Sequence, residues 1–365
     1  MVSSENERLI SDQSAAQSSS CEEEIVYETV GDEKAYKDHK LGILQLTLIG
    51  YFIVCAGPYG IEETVLAAGP FYTLIATAAL PLLLSFPFSI VCCEMSSMFP
   101  SRGSTVIWAR NISESVQKHC GHFSARAKFA RFVSRLYTNS LLIKALVLNS
   151  ILPTLICANL ESLNPIFAEI WMKYIIAAVI YAGVVLLNIY GIDVVGWAQY
   201  AFAIIVLTPV VIFCFMSIPY FAQWKIEHGN GPSSPDFALL FSNLVWQCTG
   251  FDMTTNLSEE VKNPQKTYPV SLLLIVFLLI ISFFLPILCG VMIQPDYTKW
   301  VNGAFGEISL LLPGCENGWL QWWFIIGGVF SLISVLNNYV TCSSREIYQN
   351  VKGHMIPFCD GLGVL

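Results

Sequence analysis

Two long apolar stretches of this chain are interrupted halfway by residues that do not continue a helix. The first breaks at Gly57-Pro58-Tyr59-Gly60 and resumes with Ile61-Glu62-Glu63-Thr64-Val65. The second breaks around Cys248-Thr249-Gly250-Phe251-Asp252. A membrane helix that stops and restarts leaves N–H and C=O groups unpaired at bilayer depth, which is tolerable only where they line a cavity or hold a ligand. Two breaks at matching places in two halves point to the substrate site of a secondary transporter.

That the stretches belong in a bilayer follows from composition. The 365 residues are 55% hydrophobic and only 13% charged, about half the charge of a soluble domain. Read for runs of roughly 20 apolar residues, the sequence predicts eight spans, at about 41–64, 72–98, 134–158, 173–190, 196–218, 237–257, 270–292 and 319–343. They form one transmembrane domain over 41–343, flanked by a disordered acidic tail at 1–40 and a short segment at 344–365. Prolines inside the spans (Pro81, Pro87, Pro153, Pro209, Pro286) suit membrane helices better than soluble ones. The Ser-rich start lacks the basic and apolar regions of a signal peptide.

Basic residues orient the chain. With the N-terminus in the cytoplasm, fifteen Lys and Arg fall in inner segments and three (Lys173, Lys225, Lys299) in outer ones, with Lys144 inside the third span. This is a strong positive-inside bias. The basic segment 110–135 reads as the largest inner loop. It is either a plain topogenic signal or a surface for anionic headgroups. Of 12 cysteines only Cys315 falls clearly in an outer loop, so no outer disulfide framework is expected. The sequons at Asn111 and Asn256 fall on the inner side and are expected to be unused.

At the first break the restarting half-helix presents its positive N-terminal end to the cavity. Two readings of Glu62 and Glu63 stand: they cap the half-helix, or they face substrate, because carboxylates at membrane depth are costly and usually functional. Backbone groups at Gly57, Tyr59 and Gly60 would hold other polar parts of a ligand. At the second break, Cys248, Thr249 and Asp252 supply polar groups where the backbone opens, Gly250 supplies the flexible point, and Phe251 or Trp246 could close over a ligand. Asp252 either binds a cation or pairs with Lys144, the one intramembrane base. Glu94 reads as a structural or gating anchor, and Gly103-Ser104-Thr105 as a loop re-entering the protein. There is no phosphate-binding loop, dinucleotide fingerprint, metal-ligand cluster or nucleophile–base pair. No cofactor, enzymatic activity or nucleic-acid partner is expected.

The run from Gly57 to Val65, followed by Glu94-Met-Ser-Ser-Met-Phe-Pro100, resembles the amino acid–polyamine–organocation superfamily, especially its polyamine-uptake and L-amino acid branch. Asn188-Ile-Tyr-Gly-Ile-Asp-Val-Val-Gly-Trp197 is similar to that branch's link between helices four and five. Ser258-Glu-Glu-Val-Lys-Asn-Pro-Gln-Lys-Thr-Tyr-Pro269 resembles its acidic-basic-proline signature after helix six. The likeness covers about residues 41–357. It implies an all-α, LeuT-like fold of five-helix inverted repeats, with discontinuous helices one and six forming the site and access alternating between two sides. It also implies a permease of amino acids or polyamines in the plasma membrane or an organelle, coupled to protons or counter-exchange.

Glu62, Glu63 and Asp252 sit where that branch places acids near its cavity. Pro58 weakens the backbone nest for a substrate carboxylate, which favours a cationic amine. Phe88, Asn149 and Tyr339, where the resemblance leads one to expect acids, favour an amino acid. The family has about twelve helices and this sequence supplies eight. The second expectation is therefore a truncated, non-transporting membrane sensor or interaction protein that keeps the pocket. Oligomeric state is left open.

Overall fold

The computed structural model describes residues 41–121, 124–161, 165–223 and 231–352. The tail read at 1–40, Lys225 and the last part of 344–365 lie outside them. Among the described residues the regular structure is helical, with only two isolated bridges, Leu41 with Val261 and Arg102 with Leu257. Six helical stretches among the described residues are long and apolar enough to cross a membrane, which makes this an integral, multi-pass membrane protein.

The first break separates α1 (Ile43–Val54) from α2 (Glu62–Leu80). Cys55 is already extended, and residues 55–61 are not helical. Within α2 the backbone turns again at Gly69, whose φ of 81° is open to glycine and strained for other residues. The half-helix that follows the break is therefore short, 62–68, and Pro70 opens the long apolar passage after it. Thr73 Oγ1 staples this bend, donating to Thr64 O at 2.8 Å and Gly69 O at 2.9 Å. A π-turn at Pro81–Ser85 leads into α3 (Phe86–Met98). Proline removes one helical donor there, and the widened turn lets Ser85 Oγ donate to Cys248 O at 2.9 Å, at the second break.

Segment 110–135 is not a loop. It is α4 (Ser104–Cys120) and the start of α5 (Ala125–Glu161), with only 121–124 between them. Ser124 Oγ accepts from Ala127 N at 3.1 Å and so satisfies a free donor of α5. Dense Lys and Arg mask the helical pattern in the sequence. Beyond lie α6 (Ile170–Tyr190) and α7 (Ile192–Ser217). The second break separates α8 (Phe237–Trp246) from the five-residue α9 (Phe251–Thr255). After it run α10 (Pro264–Ile293), the short α11 (Ala304–Ser309) and α12 (Trp319–Lys352). Here α12 continues nine residues past the 343 expected from apolarity, because its last turns are polar but buried at Glu346 and Asn350.

The core gathers around α1, α10 and α9: Tyr51, Phe52, Phe251, Tyr268 and Phe283 are all fully buried. Tyr51 OH donates to Ser282 Oγ at 2.8 Å, tying α1 to α10. The end rich in basic residues is sealed by polar contacts. Arg345 grips Glu260 with two bonds of 3.0 and 3.1 Å, and Arg102 lies 3.3 Å from Glu259. Gly103-Ser104-Thr105 turns inward there: Ser104 Oγ donates to Thr255 O at 2.8 Å and Thr105 Oγ1 to Asn256 Oδ1 at 3.1 Å.

Candidate functional site

A cavity of about 440 Å³ lies between the first break and helices α5, α11 and α12. One wall is apolar, built by Ile151 and Leu155 of α5 with Phe324 and Leu332 of α12. It reaches the surface beside Asn302, Gly303 and Glu307, all exposed, at the end opposite the Arg345–Glu260 seal.

The protein itself satisfies part of the opened backbone at the first break. Gly57 N–H donates to Cys55 Sγ at 3.1 Å. Gly60 N–H donates to Glu62 Oε2 at 2.7 Å. The carbonyls at the end of α1 are met by α12: Ser331 Oγ donates to Ala56 O, and Tyr339 OH to Ile53 O at 3.4 Å. Tyr59 crosses to α7, its hydroxyl donating to Val206 O at 3.0 Å, and its ring packs on Gly327 and edge-on to Phe324. Free N–H groups at a helix start attract anions, but here Glu62 already occupies that position.

Glu62 is thus both cap and cavity residue. It is 2% exposed and lines the cavity. Its neighbour Glu63, one residue on and so turned about 100° around the helix, is exposed and outside the lining. The other lining carboxylate is Glu307 at the rim, which accepts from Gln321 Nε2 at 2.7 Å. Among the described residues no Lys, Arg or His lines this cavity. Trp246 and Gln247 complete it from the second break.

The rest of the second break turns away. Asp252 pairs with Lys144 of α5 at 3.0 Å, with Asp252 20% and Lys144 34% exposed. Cys248 is buried with its carbonyl held by Ser85, and Thr249 is exposed. Phe251 is fully buried, edge-on to Phe88. Gly250, with φ of 111°, starts α9. Glu94 is exposed on α3. Of the positions singled out from sequence, Tyr59, Gly60, Glu62 and Trp246 therefore meet in one cavity. Gly57, Glu63, Glu94, Lys144, Cys248, Thr249, Gly250, Phe251 and Asp252 do not line it. The walls from α5, α11 and α12 carry no local signature except Gly327-Gly328, the paired small residues that admit Tyr59.

A multi-pass helical protein with two interrupted passages around an acid-lined cavity has the build of a permease. The model of the amino acid permease family matches residues 41–362, and the chain belongs to that family. It is similar to the polyamine transporter RMV1 of Arabidopsis thaliana, 26% identical over 321 residues, covering 87% of this chain and 61% of RMV1. It is also similar to the polyamine transporter PUT1 of Oryza sativa subsp. japonica, 26% identical over 320 residues, covering 87% and 56%. A shorter likeness, 28% over 144 residues, covers 38% of this chain and 26% of amino-acid permease 2 of Neurospora crassa. The chain spans about three-fifths of the length of the curated polyamine transporters it matches.

Proposed function

We propose that this chain forms the substrate-binding part of a secondary transporter for organic amines, polyamines before amino acids, working by alternating access. One observation carries the reading: a buried carboxylate, Glu62, faces a cavity whose lining holds no base among the described residues, and it already stands at the start of the half-helix, accepting from Gly60 N–H where a substrate carboxylate would otherwise sit. An ammonium group is the chemistry that completes such a site, since a buried charge needs a partner. Trp246, Tyr59 and Phe324 add aromatic faces for a cation. Lys144 neutralises Asp252 and keeps that acid out of competition for the substrate.

The positive-inside bias puts the Arg102–Arg345 end, and with it the N-terminus, in the cytoplasm. The cavity then opens outward, and the membrane we assign is the plasma membrane. Protons are the coupling ion we assign, through Glu62 at the first break.

An amino acid is the second reading. Phe88, Asn149 and Tyr339 supply no further carboxylates, and Tyr339 lines the cavity. Equilibrium binding of labelled spermidine to the purified chain, competed with putrescine and with leucine, separates the two. Displacement by putrescine alone is expected, and displacement by leucine alone would overturn the polyamine assignment. Proteoliposome uptake of the same ligands tests transport. Binding without uptake would leave a sensor or a part of a larger carrier.

A further inference from the structure

The geometry points to a second binding site, in the cleft between α4 and α5, for a phosphomonoester carried on a membrane lipid. The cleft encloses about 140 Å³ and lies apart from the amine cavity. Its α4 face presents Arg110, Ser113, Glu114 and Gln117, and its α5 face Arg131, Ser134 and Arg135. These positions recur at three- and four-residue intervals, so each set shares one side of its helix. Three guanidinium groups face one carboxylate. Arg110 Nε meets Glu114 Oε1 at 2.7 Å, and the lining as a whole keeps a positive excess.

The second, independent sign is Ser134. It is 6% exposed, yet its hydroxyl has no hydrogen-bond partner. A buried, unpaired hydroxyl is costly to leave so, and a phosphate oxygen in the cleft would accept from it. Guanidinium forks match the paired oxygens of a phosphate, each contact being charge-assisted. The charge excess favours the dianion of a monoester over a singly charged diester.

The lipid follows from depth and from the rim. From Arg135 to Glu161 the helix rises roughly 40 Å at ~1.5 Å per residue, close to the ~40–45 Å of a bilayer with its headgroups. Arg131 and Arg135 therefore sit at headgroup level. Beside them Phe129, Phe132 and Leu136 are all at least 60% exposed, an apolar rim suited to acyl chains rather than to water. Basic clusters at this level bind anionic headgroups.

Native mass spectrometry of the purified full chain in detergent tests the site. The probes are phosphatidylinositol 4-phosphate, phosphatidylinositol, inositol 1,4-bisphosphate and inorganic phosphate. We expect the phosphorylated lipid to bind at least tenfold more tightly than each of the other three. Arg131→Gln and Arg135→Gln should each weaken it about tenfold, one charge-assisted contact, and Ser134→Ala about threefold. Lys118→Gln and Arg126→Gln, which remove the same charge outside the cleft, should change binding less than threefold. If Arg131→Gln does not fold, exposed Arg135 carries the test. Equal losses at all four basic positions would mean diffuse attraction and overturn the site. Equal binding of the soluble headgroup or inorganic phosphate would overturn the lipid assignment.

Discussion

The two breaks start their second halves with the same three-residue device and put it to opposite use. Gly60-Ile61-Glu62 and Gly250-Phe251-Asp252 each place a glycine of positive φ, a fully buried apolar residue, and an acid in the first helical turn. At the first, the acid caps the backbone and faces the cavity with no base in the lining. At the second, Lys144 reaches across from α5 and neutralises it at 3.0 Å. One basic residue thus separates a binding acid from a structural one. The lesson is general for carboxylates at membrane depth: their role is set by the charge facing them, because an isolated charge there must find one.

The largest expected effect removes the charge that distinguishes the first break. Glu62→Gln keeps an oxygen to accept from Gly60 N–H but cannot pair with an ammonium. Losing one partner of a desolvated charge pair costs ~2–3 kcal/mol, at the low end of such pairs, or roughly 30–150-fold in affinity. Labelled spermidine binding should fall by that factor, with thermal stability unchanged. Asp252→Asn should leave affinity within about threefold, since Lys144 already compensates that acid. Equal losses in the two variants would erase the contrast between the breaks.

Next in size is the pair itself. Lys144→Met strands Asp252 at membrane depth. Fully buried pairs lose 3–5 kcal/mol when one member is removed, but this one is partly exposed, so ~1–2 kcal/mol is expected as a fall in thermal midpoint in detergent. The double variant Lys144→Met/Asp252→Asn leaves no unpaired charge and should recover most of that loss. A double variant no more stable than Lys144→Met would show that the stranded Asp252 charge is not what costs the stability.

Much of this contrast is legible in the sequence, and the part that is not has a physical reason. The breaks announce themselves through Gly57-Pro58-Tyr59-Gly60 and Gly250, since glycine and proline act locally. The Lys144–Asp252 pair is legible because few intramembrane charges leave few partners. Which of Glu62 and Glu63 faces the cavity is not, because both are acids and the answer depends on the phase in which the half-helix leaves the break. The helices across 110–135 are hidden because charge density there mimics a loop. The walls from α5 and α11 depend on contacts between residues far apart in sequence, which no local pattern encodes.

The smallest effect tests whether the shared glycine serves the two breaks alike. An alanine at either position must adopt a left-handed backbone, costing about 1–2 kcal/mol. Neither meets a steric block: nothing lies within 4 Å of a Cβ at Gly60, and at Gly250 the nearest atom, Ile53 O, is at 3.5 Å. The conformational cost should therefore be similar and appear in both as a comparable fall in thermal midpoint. Their effects on ligand should differ. Gly60 N–H holds the Glu62 carboxylate at 2.7 Å, so Gly60→Ala displaces the acid that meets the amine and should weaken spermidine about three- to tenfold. Gly250 precedes an acid already held by Lys144, so Gly250→Ala should cost stability with little change in affinity. An equal loss of binding in both variants would mean that the breaks move as one unit, each transmitting strain through the close approach of Gly250 to Ile53 and Val54.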